Sequence, residues 1–153
     1  MDRWPLTLVL AIALVVLIIR HRQPHMLKRL KERYSALMAY IKSPENMDDK
    51  WDKLKTRAIL TGLLRHDRSK GAIAFNINKG YEICICLRGN DLEAATYVLL
   101  HELAHMTVTE YDHTKKFWKN FRELKTLAAD IGVFHPTGGV TTYCGDKIGR
   151  AHV

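Results

Sequence analysis

The segment HELAHMTVTEYDH, from His101 to His113, concentrates residue types that bind metal ions in proteins. His101 and His105 are four positions apart, so on a helix their imidazoles project from one face and can reach the same ion. Glu102 follows the first histidine, where its carboxylate can reach a water molecule on that ion without being a ligand. This HExxH spacing predicts a Zn²⁺ site with a glutamate general base, the chemistry of peptide-bond hydrolysis.

A catalytic zinc site of this kind needs a third protein ligand and keeps its fourth position for water. Val108 and Tyr111 occupy the positions where the metzincin pattern has glycine and histidine, so that pattern is excluded. His113 is the favoured third ligand, because it lies eight residues past His105 and a short loop can bring it back. Three other side chains stay open as alternatives: Glu110, Asp112 and His135. His113 could also simply begin the next helix.

The motif lies in a predicted helix that directly follows a predicted β-hairpin. Two alternating runs, AIAFNI and YEICICL, are separated by the glycine-containing turn at residues 78–80, which indicates the hairpin. Residues 89–91 (GND) end the second strand and supply an N-cap for the helix through ATYVLLHELAHM. The apolar neighbours in that helix are expected to bury the motif, where a histidine pair without a metal would be costly.

Apolar spacing predicts three further helices, at residues 26–41, at about 48–64 and at 114–131, with Gly132 just past the last. Residues 66–71 form a polar connection, and the last twenty residues, rich in glycine, are predicted to be loop or tail. The predicted fold class is α+β, a small zincin-like domain with a β-hairpin or sheet packed on the helix of the HExxH motif.

Residues 4–19, WPLTLVLAIALVVLII, form an uncharged apolar run that predicts an N-terminal transmembrane helix, although about 20 residues is the usual span. No small-residue cleavage site follows it, which disfavours a secretory leader. Basic residues are concentrated between Arg20 and Lys42, so the rest of the chain is expected on the cytoplasmic side, at a cellular or virion membrane. The predicted division is an anchor with a basic flank at residues 1–24 and one domain at residues 25–153.

The chain carries a net charge of +8. Attraction of the basic flank to acidic lipid is the favoured explanation, and nucleic acid as a partner is the alternative. The three cysteines are an odd number, and Cys84 and Cys86 would project from the same face of a strand. Together with Cys144 they are predicted to be reduced thiols in a reducing compartment.

The run VLLHELAHMTVTEYDHTKKFWKNFRELKTLAADIGVF resembles the WLM family of zinc metallopeptidases, relatives of the SprT-like proteases. These share an HELxH helix, a loop histidine and a Phe-Trp or Phe-Tyr pair. NKGYEICICLR and YCG are similar to flanking segments in compact WLM-like proteins of large DNA viruses and microbial eukaryotes, so the resemblance covers about residues 51–148. It implies a zinc site at His101, His105 and His113 with Glu102 as the base.

The sequence departs from that family at Asp112, where a small residue is usual, and in its N-terminal apolar run. The YCG segment leaves open whether Tyr143 or Cys144 approaches the metal, and packing is the favoured interpretation. The leading hypothesis is a membrane-anchored zinc metallopeptidase that hydrolyses protein or peptide substrates. The alternatives are a DNA-associated protease acting on protein–DNA adducts and a non-catalytic, membrane-tethered zinc-binding module. A merely structural zinc site has no use for Glu102, which argues against the module.

Overall fold

Helices pack against a small mixed sheet in a computed structural model that describes residues 4–22, 24–56, 58–63, 73–78, 80–88, 91–136 and 138–149. In chain order the elements are α1 (Trp4–Arg22), α2 (Pro24–Ile41), a 3₁₀ helix (Asp49–Lys55), β1 (Ile59–Leu63), β2 (Ala74–Ile77), β3 (Glu82–Cys86), α3 (Leu92–Met106), α4 (Lys115–Asp130), β4 (Thr141–Tyr143) and β5 (Asp146–Ile148). The predicted mixed α+β class is therefore confirmed.

The main sheet has the strand order β1-β3-β2, with β1 parallel and β2 antiparallel to the central β3. β3 reads EICIC and is buried from its second residue onward, as expected of a strand covered on both faces. The predicted β2–β3 hairpin is confirmed, with Ala74 opposite Ile85 and Ile77 opposite Glu82. Asn78 has a positive φ of 49° at the turn, and Lys79 lies outside the described residues.

The prediction of one helix over residues 48–64 is wrong. Asp48 caps only a short 3₁₀ helix, which buries Trp51 and Leu54, and the chain then enters β1. Gly62, inside the predicted helix, lowers helix propensity, and in β1 it lies against the side chain of Leu87. Pairing with β3 outweighs the local helical spacing, as tertiary context commonly does. The polar connection at residues 66–71 lies outside the described residues.

The other predicted helices are confirmed as α2, α3 and α4. Asp91 caps α3 by accepting a hydrogen bond from Ala94 N at 2.9 Å, while residues 89 and 90 lie outside the described part of the chain. Thr114 caps α4 by accepting from Phe117 N at 3.2 Å, and Gly132, with φ 76°, follows its end. Both caps satisfy backbone N–H groups that a helix leaves unpaired.

The C-terminal segment predicted to be loop or tail forms the two-stranded hairpin β4–β5. Cys144 and Gly145 make its two-residue turn, and both have positive φ, 49° and 91°, as a type I′ turn requires. Strands of three residues are too short to give an alternating signal, which is why the sequence pattern did not predict them.

The prediction that all three cysteines are reduced thiols is also wrong. Cys86 and Cys144 form a disulfide bond, and Cys84 is a buried free cysteine. The bond forms because the β4–β5 hairpin lies at the end of β3, where the Cα atoms of the two cysteines are 6.5 Å apart. Cys84 and Cys86 are close in sequence and do not pair with each other. The sequence pattern gave no sign that Cys144, 58 residues after Cys86, lies next to it in the fold.

The predicted membrane anchor corresponds to α1 (Trp4–Arg22). Among the helices of the described residues, none is both long enough and apolar enough to cross a membrane. The apolar run at residues 4–19 gives about 24 Å of helix at 1.5 Å per residue, less than the ~30 Å hydrocarbon core of a bilayer. The prediction of a transmembrane helix, and with it of a single-pass membrane protein, is therefore corrected.

Candidate metal centre

Three histidine side chains converge at the C-terminal half of α3. Nε2 of His113 lies 3.0 Å from Nε2 of His101 and 3.1 Å from Nε2 of His105. The candidate ligand atoms of the three residues all lie within 4.8 Å of one another. Nitrogens bound to one tetrahedral zinc ion at 2.0–2.1 Å are about 3.3 Å apart. The three imidazoles are therefore placed where they could hold one metal ion.

α3 provides the first two histidines, and the loop between α3 and α4 provides the third. Thr107 ends α3, and its hydroxyl donates to Ala104 O at 2.6 Å. Asn120 on α4 donates to the same hydroxyl at 2.9 Å, and both of these side chains are buried. Thr114, directly after His113, caps the beginning of α4. The loop that carries His113 is therefore held by hydrogen bonds both where α3 ends and where α4 begins.

Phe117, in the first turn of α4, packs against all three imidazole rings. Its ring centroid lies 4.4 Å from that of His105, 4.7 Å from that of His113 and 5.0 Å from that of His101. Phe117 is fully buried, so it cannot move without opening the core. Trp118 lies beside His113 at 5.4 Å with an interplanar angle of 32°. The apolar stripe of the predicted helix contains Phe117, but its spacing did not indicate this contact with the histidines.

Glu102 lies beside the histidines and is buried, with 9% of its surface exposed. Nδ2 of Asn76, on β2, donates to the Glu102 carbonyl oxygen at 3.0 Å and to Oε2 at 2.8 Å. Burial raises the pKa of the Glu102 carboxyl to about 7, and the hydrogen bond from Asn76 opposes that rise. The carboxylate is thus shielded from bulk water and held by a single neighbouring side chain among the described hydrogen bonds.

Two cavities meet at Glu102 and His105. One, of about 460 Å³, is bounded by the three histidines, by Ala74 of β2 and by Asp146 and Ile148 of β5, among others. The second, of about 320 Å³, extends past Asn76 towards the loop that precedes His113. A depression therefore continues across the histidines, along β2, from the C-terminal hairpin to the α3–α4 loop.

The alternative ligands named from the sequence lie elsewhere. His135 points to the beginning of α3, where its Nδ1 is 3.5 Å from Glu93 Oε1. Asp112 and Glu110 are exposed on the α3–α4 loop, and Glu110 lines the second cavity rather than the histidine cluster. None of these three belongs to the described group that could hold a metal ion.

Tyr143 and Cys144, also considered near the metal, are engaged in packing. The Tyr143 hydroxyl donates to the Cys86 carbonyl oxygen, and Cys144 is bonded to Cys86. Burial, together with the charge of Asp91, raises the pKa of Tyr143 to about 12. Both residues therefore secure the C-terminal hairpin, one strand of which lines the larger cavity.

The beginning of α3 is tied to α2 by an ion pair. Arg33 Nη2 lies 2.5 Å from Glu93 Oε1, and Nη1 donates to Thr96 at 3.0 Å. The backbone N–H of His135 donates to the other Glu93 oxygen at 2.8 Å. Partial burial raises the pKa of Glu93, but the hydrogen bonds from Arg33 and His135 outweigh it and leave the pKa below its usual value.

Asn76 contacts Glu102 directly and Asn120 supports the loop of His113 through Thr107, but neither was identified from the sequence. Each is a polar residue whose distance in sequence from buried apolar neighbours puts it on the same buried face as they are. Asn76 shares a strand face with Ala74, and Asn120 lies three residues after Phe117 on the apolar stripe of α4. A polar side chain on an otherwise buried face was the signal that could have identified them.

Comparison with models of known protein families assigns the chain to a family. The family model of the WLM domain matches residues 25–142, most of the chain, so this protein belongs to the WLM domain family. That family is associated with metallopeptidase activity and with zinc. The expected resemblance is therefore confirmed at the level of the family.

Two relatives come from viruses. The chain is 39% identical over 67 residues to uncharacterized protein R325 of Acanthamoeba polyphaga mimivirus, covering 40% of this chain and 34% of that protein. It is 33% identical over 84 residues to uncharacterized protein 136R of Invertebrate iridescent virus 6, covering 49% of this chain and 47% of that protein. The matched part thus spans about a third to a half of these relatives. No solved structure matches the chain.

Proposed function

We propose that this protein is a zinc metallopeptidase with a zincin-like site, in which His101, His105 and His113 bind the metal and Glu102 is the general base. The observation that carries the proposal is the convergence of three imidazole Nε2 atoms beside the buried carboxylate of Glu102, which lies on α3 with His101 and His105. Three neutral imidazoles suit Zn²⁺ and leave a fourth position for water, as catalytic zinc sites do. Membership of the WLM family supports the same chemistry.

A zinc ion bound there would act as a Lewis acid, lowering the pKa of water and polarising the peptide carbonyl. Glu102 accepts a proton from the attacking water as the new C–O bond forms, and it delivers that proton to the departing amine nitrogen as the C–N bond breaks. The products are a carboxylate and an amine. Phe117 and the surrounding core keep the imidazoles oriented and exclude other water from their buried side.

An extended polypeptide is the substrate class that suits the surroundings of the site. Among the described strands, β2 lies at an edge of the sheet. The carbonyls of Ile73 and Ile77 accept hydrogen bonds from Cys86 and Tyr81 on the β3 side. Because backbone groups alternate along a strand, those of Ala74 and Asn76 face the opposite edge. A peptide pairing there would run along the depression that crosses the histidines.

Cleavage of unfolded polypeptides by the full chain, with one equivalent of Zn²⁺, tests this proposal. Glu102→Gln keeps the shape of the side chain and all three histidines but removes the base. We expect it to bind zinc as the unaltered protein does and to lose at least about 100-fold in kcat, the usual scale of a general base.

A matched control is Glu45→Gln, an exposed acid that lines neither cavity at the histidines, which should leave kcat within about twofold of the unaltered value. Equal cleavage by the Glu102→Gln variant, with zinc bound, would contradict the assignment of the base. Zinc binding with no cleavage of any unfolded chain by the unaltered protein would contradict the peptidase proposal itself.

A further inference from the structure

Asn76 directs both N–H groups of its side chain to one residue, Glu102. Its Nδ2 atom donates to the carbonyl oxygen of Glu102 and to Oε2 of the carboxylate. Both partners are acceptors when the carboxylate is ionised, so turning the amide over would set its own oxygen against two other oxygens. The orientation of the Asn76 side chain is therefore determined by Glu102.

This orientation leaves Oδ1 of Asn76 buried, with no hydrogen-bond partner in the described structure. A buried acceptor without a partner destabilises the folded state. A β-branched apolar residue would suit a half-buried strand position better and would remove that unfavourable term. Because the partner of Asn76 is itself a buried carboxylate, folding stability alone gives a poor account of this asparagine–glutamate pair.

The contact joins two elements whose relative placement defines the site. Asn76 belongs to β2, which borders the depression, whereas Glu102 belongs to α3, which carries His101 and His105. Binding one carboxylate oxygen and the main-chain carbonyl of Glu102 restricts that side chain to one arrangement. The other carboxylate oxygen, Oε1, accepts no hydrogen bond from the described residues and is left for the reacting water.

We infer that Asn76 is a positioning residue, which holds the carboxylate of Glu102 in the orientation that proton transfer requires. Small displacements of a catalytic group are costly in rate, because the reacting atoms must be aligned before the transition state forms. The inference rests on the proposed role of Glu102 as the base.

Steady-state kinetics on two variants at Asn76, each with zinc content measured, test the inference. Asn76→Ala removes the amide, and Asn76→Asp keeps the shape of the side chain but has no N–H to donate. For both we expect kcat to fall at least about tenfold, with KM within about twofold and one zinc retained. Asn76→Asp also sets a second carboxylate against that of Glu102, so Asn76→Ala is the decisive variant of the two.

Asn46→Ala is the matched control. The Asn46 amide donates to Ile41 O at 2.8 Å, near the end of α2, and it lines neither cavity at the histidines. Its loss should lower the melting temperature and leave kcat unchanged. Asn76→Ala should lower kcat by far more than any change in its melting temperature explains, because it removes both hydrogen bonds to Glu102.

Unchanged kcat in Asn76→Ala, or a fall in kcat that only follows loss of zinc or of folded protein, would overturn the inference. A crystal structure of Asn76→Ala gives a readout that does not need turnover. The Glu102 carboxylate should leave its present position or occupy several, and an unmoved carboxylate would overturn the inference. Absence of cleavage by the unaltered protein would instead contradict the proposed function, while the crystal structure still decides whether Asn76 positions Glu102.

Discussion

The ring of Phe117 lies 4.4 Å from the ring of His105, centroid to centroid, at an interplanar angle of 33°. The two residues come from different helices, α4 and α3, so this contact couples the packing of the helix pair to the orientation of a candidate metal ligand. Because Phe117 also touches His101 and His113, one buried side chain supports the whole cluster. Ligand orientation of this kind affects metal affinity strongly.

Replacing Phe117 with leucine tests that support. Leucine keeps an apolar side chain but lacks the flat ring, so we expect the zinc dissociation constant to rise about 10-fold or more, the usual effect of losing a supporting contact. Chelator competition on the folded protein measures it. Leu124→Val is the control, because it also removes volume from the buried stripe of α4. It should lower the free energy of unfolding by ~1 kcal/mol and leave the zinc dissociation constant unchanged. Equal losses of zinc affinity in the two variants would contradict a specific role for Phe117, because they would follow from lower stability alone.

Asn120→Ala should weaken zinc binding by freeing the loop that carries His113. The substitution removes the buried hydrogen bond to the Thr107 hydroxyl and should lower the free energy of unfolding by about 1–3 kcal/mol. Denaturant unfolding and chelator competition measure the two effects. Thr126→Ala serves as a control, because it removes an exposed side-chain hydrogen bond on the same helix. Full zinc affinity in Asn120→Ala would contradict the role given to this bond.

The Cys86–Cys144 disulfide should stabilise the fold, because it closes a loop across 58 residues in the unfolded chain. We expect reduction, or Cys144→Ser, to lower the free energy of unfolding by about 2–4 kcal/mol. Thermal melting with and without reductant measures this. The effect of reductant should persist in Cys84→Ala and vanish in Cys144→Ser. Identical melting of the oxidised and reduced unaltered protein would be the contrary result.

The ion pair of Arg33 and Glu93 predicts an acid-sensitive contribution to stability. The pKa of Glu93 is lower in the folded state than its ordinary value of 4.5, so the folded state favours the charged form. This contribution is fully present above pH 4.5 and is lost as the pH falls through the folded-state pKa.

Glu93→Gln should therefore be less stable than the unaltered protein at neutral pH, with a difference that shrinks in acid. Thermal unfolding across the acid range measures that difference directly. Glu45→Gln, at an exposed position, is the control and should leave a difference near zero at every pH. A stability difference for Glu93→Gln that stays constant with pH would contradict the assignment.

Local signals in the sequence were sufficient for α2, α3, α4 and the β2–β3 hairpin. Each has a feature that acts within a few residues, such as the caps at Asp91 and Thr114 or the positive φ of Asn78. The histidines of the candidate site were named for the same reason, since two of them are one helical turn apart. That the chain brings His113 back to them is what the structure adds.

Features that depend on distant pairing were not predictable in this way. β1 forms because its backbone pairs with β3, and β5 lies beside the histidines because the hairpin packs at the end of β3. The contact of Asn76 with Glu102 likewise joins a strand to a helix 26 residues away. Such contacts are set by the assembled sheet, and single-sequence periodicity contains no information about them.

Zinc content per chain is the measurement that tests the central claim most directly, that His101, His105 and His113 together hold one zinc ion. Elemental analysis of the full chain after equilibration with Zn²⁺ should give one zinc in the unaltered protein and one in His135→Ala, whose imidazole lies beside Glu93. His113→Ala should lose the ion or bind it far more weakly. An unaltered chain without zinc, or full zinc content in His113→Ala, would contradict the account.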